Sequence, residues 1–286
     1  MRDEFEQKKF WKRVNVGLVV LMVLMLVGWW QKPSNNLELV FCDVGQGDTT
    51  LVIMGSYQLL VDGGPDDSVL SCLGKNLPFW DRKIEMMVMT HPQADHMTGF
   101  IEVLRRYEVE RVMMSSLDSN IVEFKQFEKQ ILESRVEVKE LIKGERLVSG
   151  ELKLEVVWPN VRGEETKVLG AKDPNDVSTV LWGKMGEFDF LLTGDIGKNT
   201  EDQLGDIGKI EVLKVAHHGS RFSSSEEFLR KVSPKLSVIS VGGRNRFGHP
   251  TKETLARLAK VGSRILRTDK EGTIKIVSDG KRWWRE

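Results

Sequence analysis

The chain has five histidines, and each stands directly beside Gly, Pro, Asp or another His, not inside an apolar run. His91, Asp95 and His96 fall within the hexapeptide HPQADH, immediately after the apolar run IEMMVMT from Ile84 to Thr90. A loop there lets two imidazoles and a carboxylate turn to one side, which the alternating side chains of a regular strand cannot do. Imidazole and carboxylate together are the donors of a divalent-metal site. A second group follows: Asp195 closes FLLTGD, His217 and His218 close IEVLKVAHH, and His249 lies in FGHP. Any one of these taken alone is as readily a satisfied core or turn residue. Their joint placement at strand ends makes them a candidate ligand set. Asp43 and Asp62 also end apolar runs, where a short carboxylate can orient a ligating imidazole.

The elements that must position these residues are legible in the hydrophobic pattern. LELVFCD, TTLVIM and YQLLVD read as three strands joined by short turns, the first of them at Gly45-Gln46-Gly47-Asp48, which predicts an antiparallel meander. The Gly-rich turn is read as a turn in preference to a phosphate nest. Asp67–Asn76 suits a short helix, IEMMVMT a buried strand, and Phe100–Tyr107 a further helix. The rest alternates between strand and helix. ERVMMS, VEVKELI and the stretch from Arg146 to Pro159 are strands, with the helix IVEFKQFEKQILES between the first two; STVLWGKM and FDFLLTGD form a hairpin around Gly186; IEVLKVAHHGS and LSVISVG are further strands; SEEFLRKV and KETLARLAKV are helices. A closing hairpin, RILRT/GTIKIVS, ends the pattern, and residues 161–173 read as a surface loop. Two antiparallel-to-mixed sheets packed face to face with helices outside, a four-layer αββα sandwich of the α/β (α+β) class, accommodate this order.

Several blocks now coincide with a known family. DVGQGD (Asp43–Asp48), LLVDGG (Leu59–Gly64), THPQADHMTG (Thr90–Gly99), LLTGD (Leu191–Asp195), LKVAHHGS (Leu213–Ser220) and GHP (Gly248–Pro250) resemble the metallo-β-lactamase-like domain of the ComEC competence proteins. The blocks occur in order from residue 39 to about 275. The resemblance implies the αββα sandwich, a metal site at the strand ends, and phosphodiester hydrolysis of DNA during uptake. It assigns His91, Asp95 and His96 to the first ligand block, Asp195 to the bridging carboxylate, and His217 or His218 to the later imidazole. The wider superfamily carries a second His where this chain has Gln93, and often another His where Asn175, Asp176 and Ser178 stand. The expectation is therefore one strong site from Asp95, His96, Asp195 and His217, with His218 as the alternative, and a looser one near His91.

One or two divalent ions, zinc or manganese, are the expected cofactor. A bound water of lowered pKa would attack phosphorus, with Asp95 or Asp195 taking its proton, and a second ion or His249 neutralising the phosphate oxygens. Asp95 and His249 are thus the candidate catalytic residues. Asn175, Ser178, Ser220, Arg244 and Arg246 are candidate substrate contacts, Ser220 also being a good helix-capping type.

Charge and composition narrow the setting. Hydrophobic residues are 40% and charged residues 29%, which excludes a disordered or fibrous chain. The 42 basic and 42 acidic residues cancel, and beyond residue 32 the balance is −3, so long-range charge alone does not attract nucleic acid. Residues 244–286 are the exception, with twelve Lys/Arg against five Asp/Glu, either a solvated face or a substrate-facing rim. Cys42 and Cys72, the only two cysteines, are read as buried thiols.

Residues 14–30, VNVGLVVLMVLMLVGWW, are apolar enough to span a bilayer, with Phe10, Trp11, Trp29 and Trp30 suited to its interfaces. Lys8, Lys9, Lys12 and Arg13 place the flank 1–13 in the cytoplasm. Gly28-Trp29-Trp30-Gln31 lacks the small residues of a cleavage site. The expected organisation is a cytoplasmic flank 1–13, an anchor 14–30 held by membrane lipid, a linker 31–36 and an extracytoplasmic hydrolase domain 37–286. One spanning segment forms no channel, so a separate DNA-translocation channel is the expected partner. A hydrolase of a cell-surface phosphoester or other small ester is the alternative, and a non-catalytic anchored binding module the alternative of another class.

Overall fold

The computed structural model describes residues 2–30, 34–115, 119–160 and 173–286, with the side chains of residues 6–28 in the first segment. The expected loop 161–173 therefore lies almost wholly outside the described residues, as does half of the linker 31–36. The chain divides into two units, residues 1–34 and 35–286. The first is one helix, α1 (Arg2–Trp30), whose Glu6–Gly28 portion is long and apolar enough to cross a membrane.

The second unit begins with β1 (Leu37–Phe41), β2 (Thr50–Met54) and β3 (Tyr57–Val61), paired antiparallel in sequence as the meander predicts. Then come α2 (Ser68–Asn76), β4 (Lys83–Ile84), β5 (Met86–Met89), α3 (Ala94–Arg106), β6 (Glu108–Val109), β7 (Arg111–Met114), α4 (Val122–Ser134) and β8 (Glu137–Glu140). From β3 onward the larger sheet turns parallel, β3 to β5 to β7 to β8. The second sheet is built from β9 (Arg146–Ser149), β10 (Leu152–Trp158), β11 (Val180–Met185), β12 (Phe188–Leu192), β13 (Val212–Lys214), β14 (Leu236–Ile239) and β15 (Arg264–Arg267). It is antiparallel as far as β12 and parallel from β12 to β15. Its helices are α5 (Lys198–Glu201), α6 (Glu226–Val232) and α7 (Lys252–Lys260).

The last segment departs from expectation. RILRT and GTIKIVS do not pair as a hairpin: the short helix α8 (Thr268–Glu271) intervenes, and β16 (Ile274–Ser278) joins the first sheet beside β1 while β15 stays in the second. Thr268 fastens this crossing, accepting from the Val241 amide (2.9 Å) and donating to the Val241 carbonyl (3.1 Å). With β17 (Trp283–Arg285) on β16, the order in the first sheet is β17-β16-β1-β2-β3-β5-β7-β8, and in the second β15-β14-β13-β12-β11-β10-β9.

Three apolar layers hold the sandwich. Phe41, Leu59, Val88, Leu154, Phe190 and Val238 belong to the cluster between the sheets. Helices α2, α3 and α4 cover the outside of the first sheet and α6 and α7 that of the second. Burial on both faces explains why β5 reads MMVM and β14 LSVI, without the polar alternation of a half-exposed strand. Helix α3 shows the complementary pattern: Met97, Phe100, Ile101 and Leu104 are buried at helical spacing. The αββα architecture is thus present.

Cys42 and Cys72 are not free thiols but a disulfide, joining the end of β1 to α2. Nothing in their spacing of 30 residues signals pairing; packing α2 across the first sheet brings their Cα atoms to 5.9 Å. Closing a loop of that length removes roughly 3–4 kcal/mol of unfolded-state entropy.

Candidate metal centre

The functional side chains gather where the strands of both sheets end. In parallel sheets carboxyl edges leave backbone free to turn, and ligands collect there. Asp62 follows β3, His91 follows β5, Asp195 follows β12 and His218 follows β13. Asp95 and His96 lie not on the expected loop but in the first turn of α3, which starts at Ala94, well before Phe100, with extended Gln93 at the N-cap position and its carbonyl accepting from the His96 and Met97 amides. The start of α3 is held by close approach to the β3 turn. The Gly63 amide donates to the His96 carbonyl at 2.5 Å, and a Cβ on Gly99 would lie 2.0 Å from the Gly63 carbonyl oxygen.

Two imidazoles face inward with their orientation imposed from behind. His96 Nδ1 lies 2.8 Å from Asp62 Oδ2, and Asp62 in turn accepts from the Thr90 amide (2.8 Å) and hydroxyl (2.7 Å). His218 Nδ1 lies 2.9 Å from the Ser240 carbonyl, which requires that nitrogen to carry the proton. The opposite nitrogens converge: His96 Nε2 is 3.3 Å from Asp195 Oδ2, and His218 Nε2 is 3.5 Å from the same oxygen and 3.3 Å from Asp95 Oδ2. Both Nε2 atoms, and that of His91, are buried without a hydrogen-bond partner. Buried polar atoms are rarely left so. Two orphaned imidazole nitrogens converging on the Asp95 and Asp195 carboxylates are a donor set that fits a divalent ion.

Residues 42–244 match the model of the metallo-beta-lactamase superfamily. The chain belongs to that superfamily. Among curated relatives it is similar to ComE operon protein 3 of Bacillus subtilis, 29% identical over 94% of this chain and 37% of the relative. It is also similar to competence protein ComA of Neisseria gonorrhoeae, 28% identical over 91% of this chain and 36% of the relative. The chain thus spans about a third of the length of these ComEC-family relatives. Among solved structures it resembles the metallo-beta-lactamase fold protein YhfI from Bacillus subtilis, with a TM-score of 0.54, 11% identity, and coverage of 87% of this chain and 100% of that one. The protein is a metallo-beta-lactamase-fold hydrolase with a cluster able to hold a divalent metal.

Within this superfamily site the structure sorts the expected residues. His218, not His217, enters the cluster. Both were expected on an extended strand, but β13 stops at Lys214 and a 3-10 turn, Ala216–Gly219, follows, with both histidines at φ 52°. His218 is buried, whereas the partly exposed His217 ring packs 5.7 Å from that of His249. Such left-handed backbone costs a non-glycine residue of order 1–3 kcal/mol and concentrates at functional sites.

His91 stands beside His96, ring centroids 4.2 Å apart, with Nδ1 3.0 Å from Thr90 Oγ1 and 3.3 Å from Ser178 Oγ. Ser178 is fully buried and also accepts from the Asp195 amide (3.0 Å), so it orients His91 and Asp195 in place of meeting substrate. Asn175 is largely buried in the 3-10 turn leading to it, and Ser220 accepts from the Phe222 amide within its own turn. Neither is placed as a substrate contact. Asp43 is exposed and caps the Gly45 amide (3.3 Å), so Asp62 alone of the two expected orienting carboxylates reaches an imidazole.

Two residues were missed. Asp48, in the block read only as a turn, is buried, and its carboxylate lies within 4.8 Å of the donor atoms of His96, Asp195 and His218. Lys214, the last residue of β13 within the apolar run VLKVA, is buried with its ammonium bonded to Asp48 and, at 2.9 Å, to the Gly194 carbonyl. A lone Lys in LKVA was the available signal, since buried lysines are rarely found unpaired.

Charge balance in the centre follows from these contacts. Burial opposes charge on His96, but the Asp195 and Asp62 carboxylates outweigh it and raise its pKa well above the usual value. Burial likewise works against Asp195, and His96, His218 and Lys214 together hold it well below the carboxylate range. Burial and the neighbouring His96 charge push His91 down to about 3, leaving it neutral and able to donate a lone pair. Burial and the nearby His217 and His218 lower His249 to about 4. At neutral pH His249 is therefore an uncharged hydrogen-bonding group, not a cation.

The rim differs in character. Arg244, Arg246 and Phe247 are exposed, Phe247 stacks on His249 with centroids 5.9 Å apart, and among the described residues neither arginine is paired with a carboxylate.

Proposed function

We propose that this protein is an anchored, metal-dependent phosphodiesterase that cleaves DNA outside the cytoplasmic membrane in connection with DNA uptake. The observation that carries the metal chemistry is the convergence of unpaired, buried His96 and His218 Nε2 atoms on Asp195. Similarity to competence proteins supports DNA as substrate, and exposed Arg244 and Arg246 beside His249 supply phosphate contacts.

His96, His218, Asp95 and Asp195 would hold the ion, with His91 as a further donor. A divalent ion so held supplies Lewis acidity toward a phosphoryl oxygen and lowers the pKa of water. The protein's own groups do the rest. Asp62 and the Ser240 carbonyl hold the Nδ1 edge of each ring, so both Nε2 atoms would be presented to an ion without the rings turning. Asp95 is the carboxylate at the mouth, its side chain 30% exposed, and takes the proton of the attacking water. His249, neutral, hydrogen-bonds the phosphate, while Arg244 and Arg246 fix the flanking backbone.

Two features support the extracytoplasmic setting. Lys8, Lys9, Lys12 and Arg13 precede the apolar part of α1, the cytoplasmic flank by the positive-inside rule. The Cys42–Cys72 disulfide persists in an oxidising compartment. Membrane lipid and a separate translocation channel are then the partners.

The compact unit from Asn35 onward, supplied with manganese, is expected to cleave linear DNA, with His96→Ala abolishing cleavage while leaving the domain folded. If it binds metal and hydrolyses small phosphodiesters but leaves single- and double-stranded DNA intact, the nuclease reading fails and a surface phosphoester becomes the substrate class.

A further inference from the structure

Lys214 is a buried cation inside a centre built to receive another cation, and the hydrolytic chemistry above makes no use of it. Its ammonium has three oxygen neighbours for its three protons: Asp48 Oδ2, the Gly194 carbonyl at 2.9 Å, and Asp195 Oδ1 at 3.5 Å. The two oxygens of Asp195 therefore face different charges, Oδ2 toward the imidazole Nε2 atoms and Oδ1 toward Lys214.

Asp48 is placed differently from Asp95, although both lie near the two imidazoles. Its carboxylate oxygens are 3.8 Å from His96 Nδ1 and 3.8 Å from His218 Nδ1, the nitrogens already engaged by Asp62 and the Ser240 carbonyl. It thus sits behind the rings, away from the Nε2 side where Asp95 and Asp195 converge. Four residues, Asp48, His96, Asp195 and His218, are close enough to share an ion, and Asp48 offers it a buried, unpartnered Oδ1 while its Oδ2 is bonded to Lys214.

We infer that Lys214 is the fixed counter-cation of the metal centre: its ammonium offsets the charge of Asp48 and of the far oxygen of Asp195, holding divalent-ion affinity below what the carboxylates alone would confer. The inference rests on the metal-dependent reading of the site but not on its substrate. Electrostatics dictates the sign. A unit positive charge buried a few ångströms from a divalent ion repels it, and screening by solvent is weak there. Removing the ammonium strengthens binding, whether Asp48 then ligates the ion or stays behind the rings.

The test measures manganese affinity of the unit from Asn35 onward by calorimetry or competition with a chelating dye, with circular dichroism to verify folding. Lys214→Met is expected to bind manganese at least tenfold more tightly than the parent, and Lys214→Arg within a few-fold of it. The double variant Lys214→Met/Asp48→Asn, with both charges gone, is expected to return close to the parent affinity. Breaking one side of a buried pair can prevent folding. If Lys214→Met does not fold, the comparison is made between Asp48→Asn and the double variant, where loss of the lysine is again expected to tighten binding at least tenfold. Folded lysine-free variants that bind manganese no more tightly than their lysine-containing counterparts overturn the inference, as does absence of metal binding in every variant. A domain that shows the expected affinities yet leaves DNA intact ends the nuclease reading and leaves the role of Lys214 standing.

Discussion

The floor of the centre and its rim solve different problems with different residues. On the floor, His96, His218, Asp62 and Asp195 are buried and each is oriented by a neighbour fixed in turn by backbone. On the rim, Arg244, Arg246 and Phe247 are exposed, on a turn where Asn245 bonds the Gly242 and His249 carbonyls. An ion tolerates errors of a few tenths of an ångström in its donors, so the floor must be rigid. A polyanion would present a phosphate at every step, so under the proposed function exposed cations on the rim would suffice without fixed geometry. Precision is thus concentrated where it changes the chemistry.

Substitutions on the floor test the strong side of this contrast. Asp195→Asn is expected to lower bound metal at least tenfold, measured by elemental analysis of the unit from Asn35 onward, whereas Gln93→Ala leaves it nearly unchanged. Asp195 faces both imidazole Nε2 donors; Gln93 serves as the extended residue before α3. Equal metal in both variants would remove Asp195 from the site and erase the distinction between floor and surroundings.

Beneath the floor, Cys42→Ser/Cys72→Ser separates support from chemistry. Loss of the bridge is expected to lower unfolding free energy by about 2–4 kcal/mol in denaturant titration, with metal affinity of the folded state changed less than three-fold. A large fall in metal affinity would mean that α2 and the β1 end position the donors directly.

The smallest effect is expected at the rim. Arg244→Ala/Arg246→Ala should weaken DNA binding a few-fold at moderate salt and reduce the slope of log affinity against log salt by about two, one for each phosphate no longer neutralised by an arginine. Metal content should stay at the parent value. An unchanged salt slope would move the substrate path elsewhere and leave the basic surplus of residues 244–286 as a solvated face.

Much of the molecule was legible beforehand because local pattern and burial agree. Continuous apolar runs such as MMVM announced strands covered on both faces, and the HPQADH hexapeptide announced ligands because three donor residues fall within six positions. Where β15 and β16 belong was not legible, since RILRT and GTIKIVS carry the pattern of a hairpin. Their separation depends on α8 and on Thr268 pinning the crossing to Val241, hydrogen bonds that span 27 residues of chain.

The sequence by itself determined the fold class, the order of the ligand blocks, the long apolar stretch in α1 and the donor types, because periodicity and residue chemistry act over a few neighbours. Only the tertiary structure decided which donors meet. It selected His218 over His217 through two left-handed residues, replaced Asp43 by Asp48, and set Lys214 against Asp48 across 166 residues of chain. It also closed Cys42 onto Cys72. The physical reason is common to all four: each depends on residues distant in the chain being brought within a few ångströms by tertiary packing, and no local preference encodes that distance.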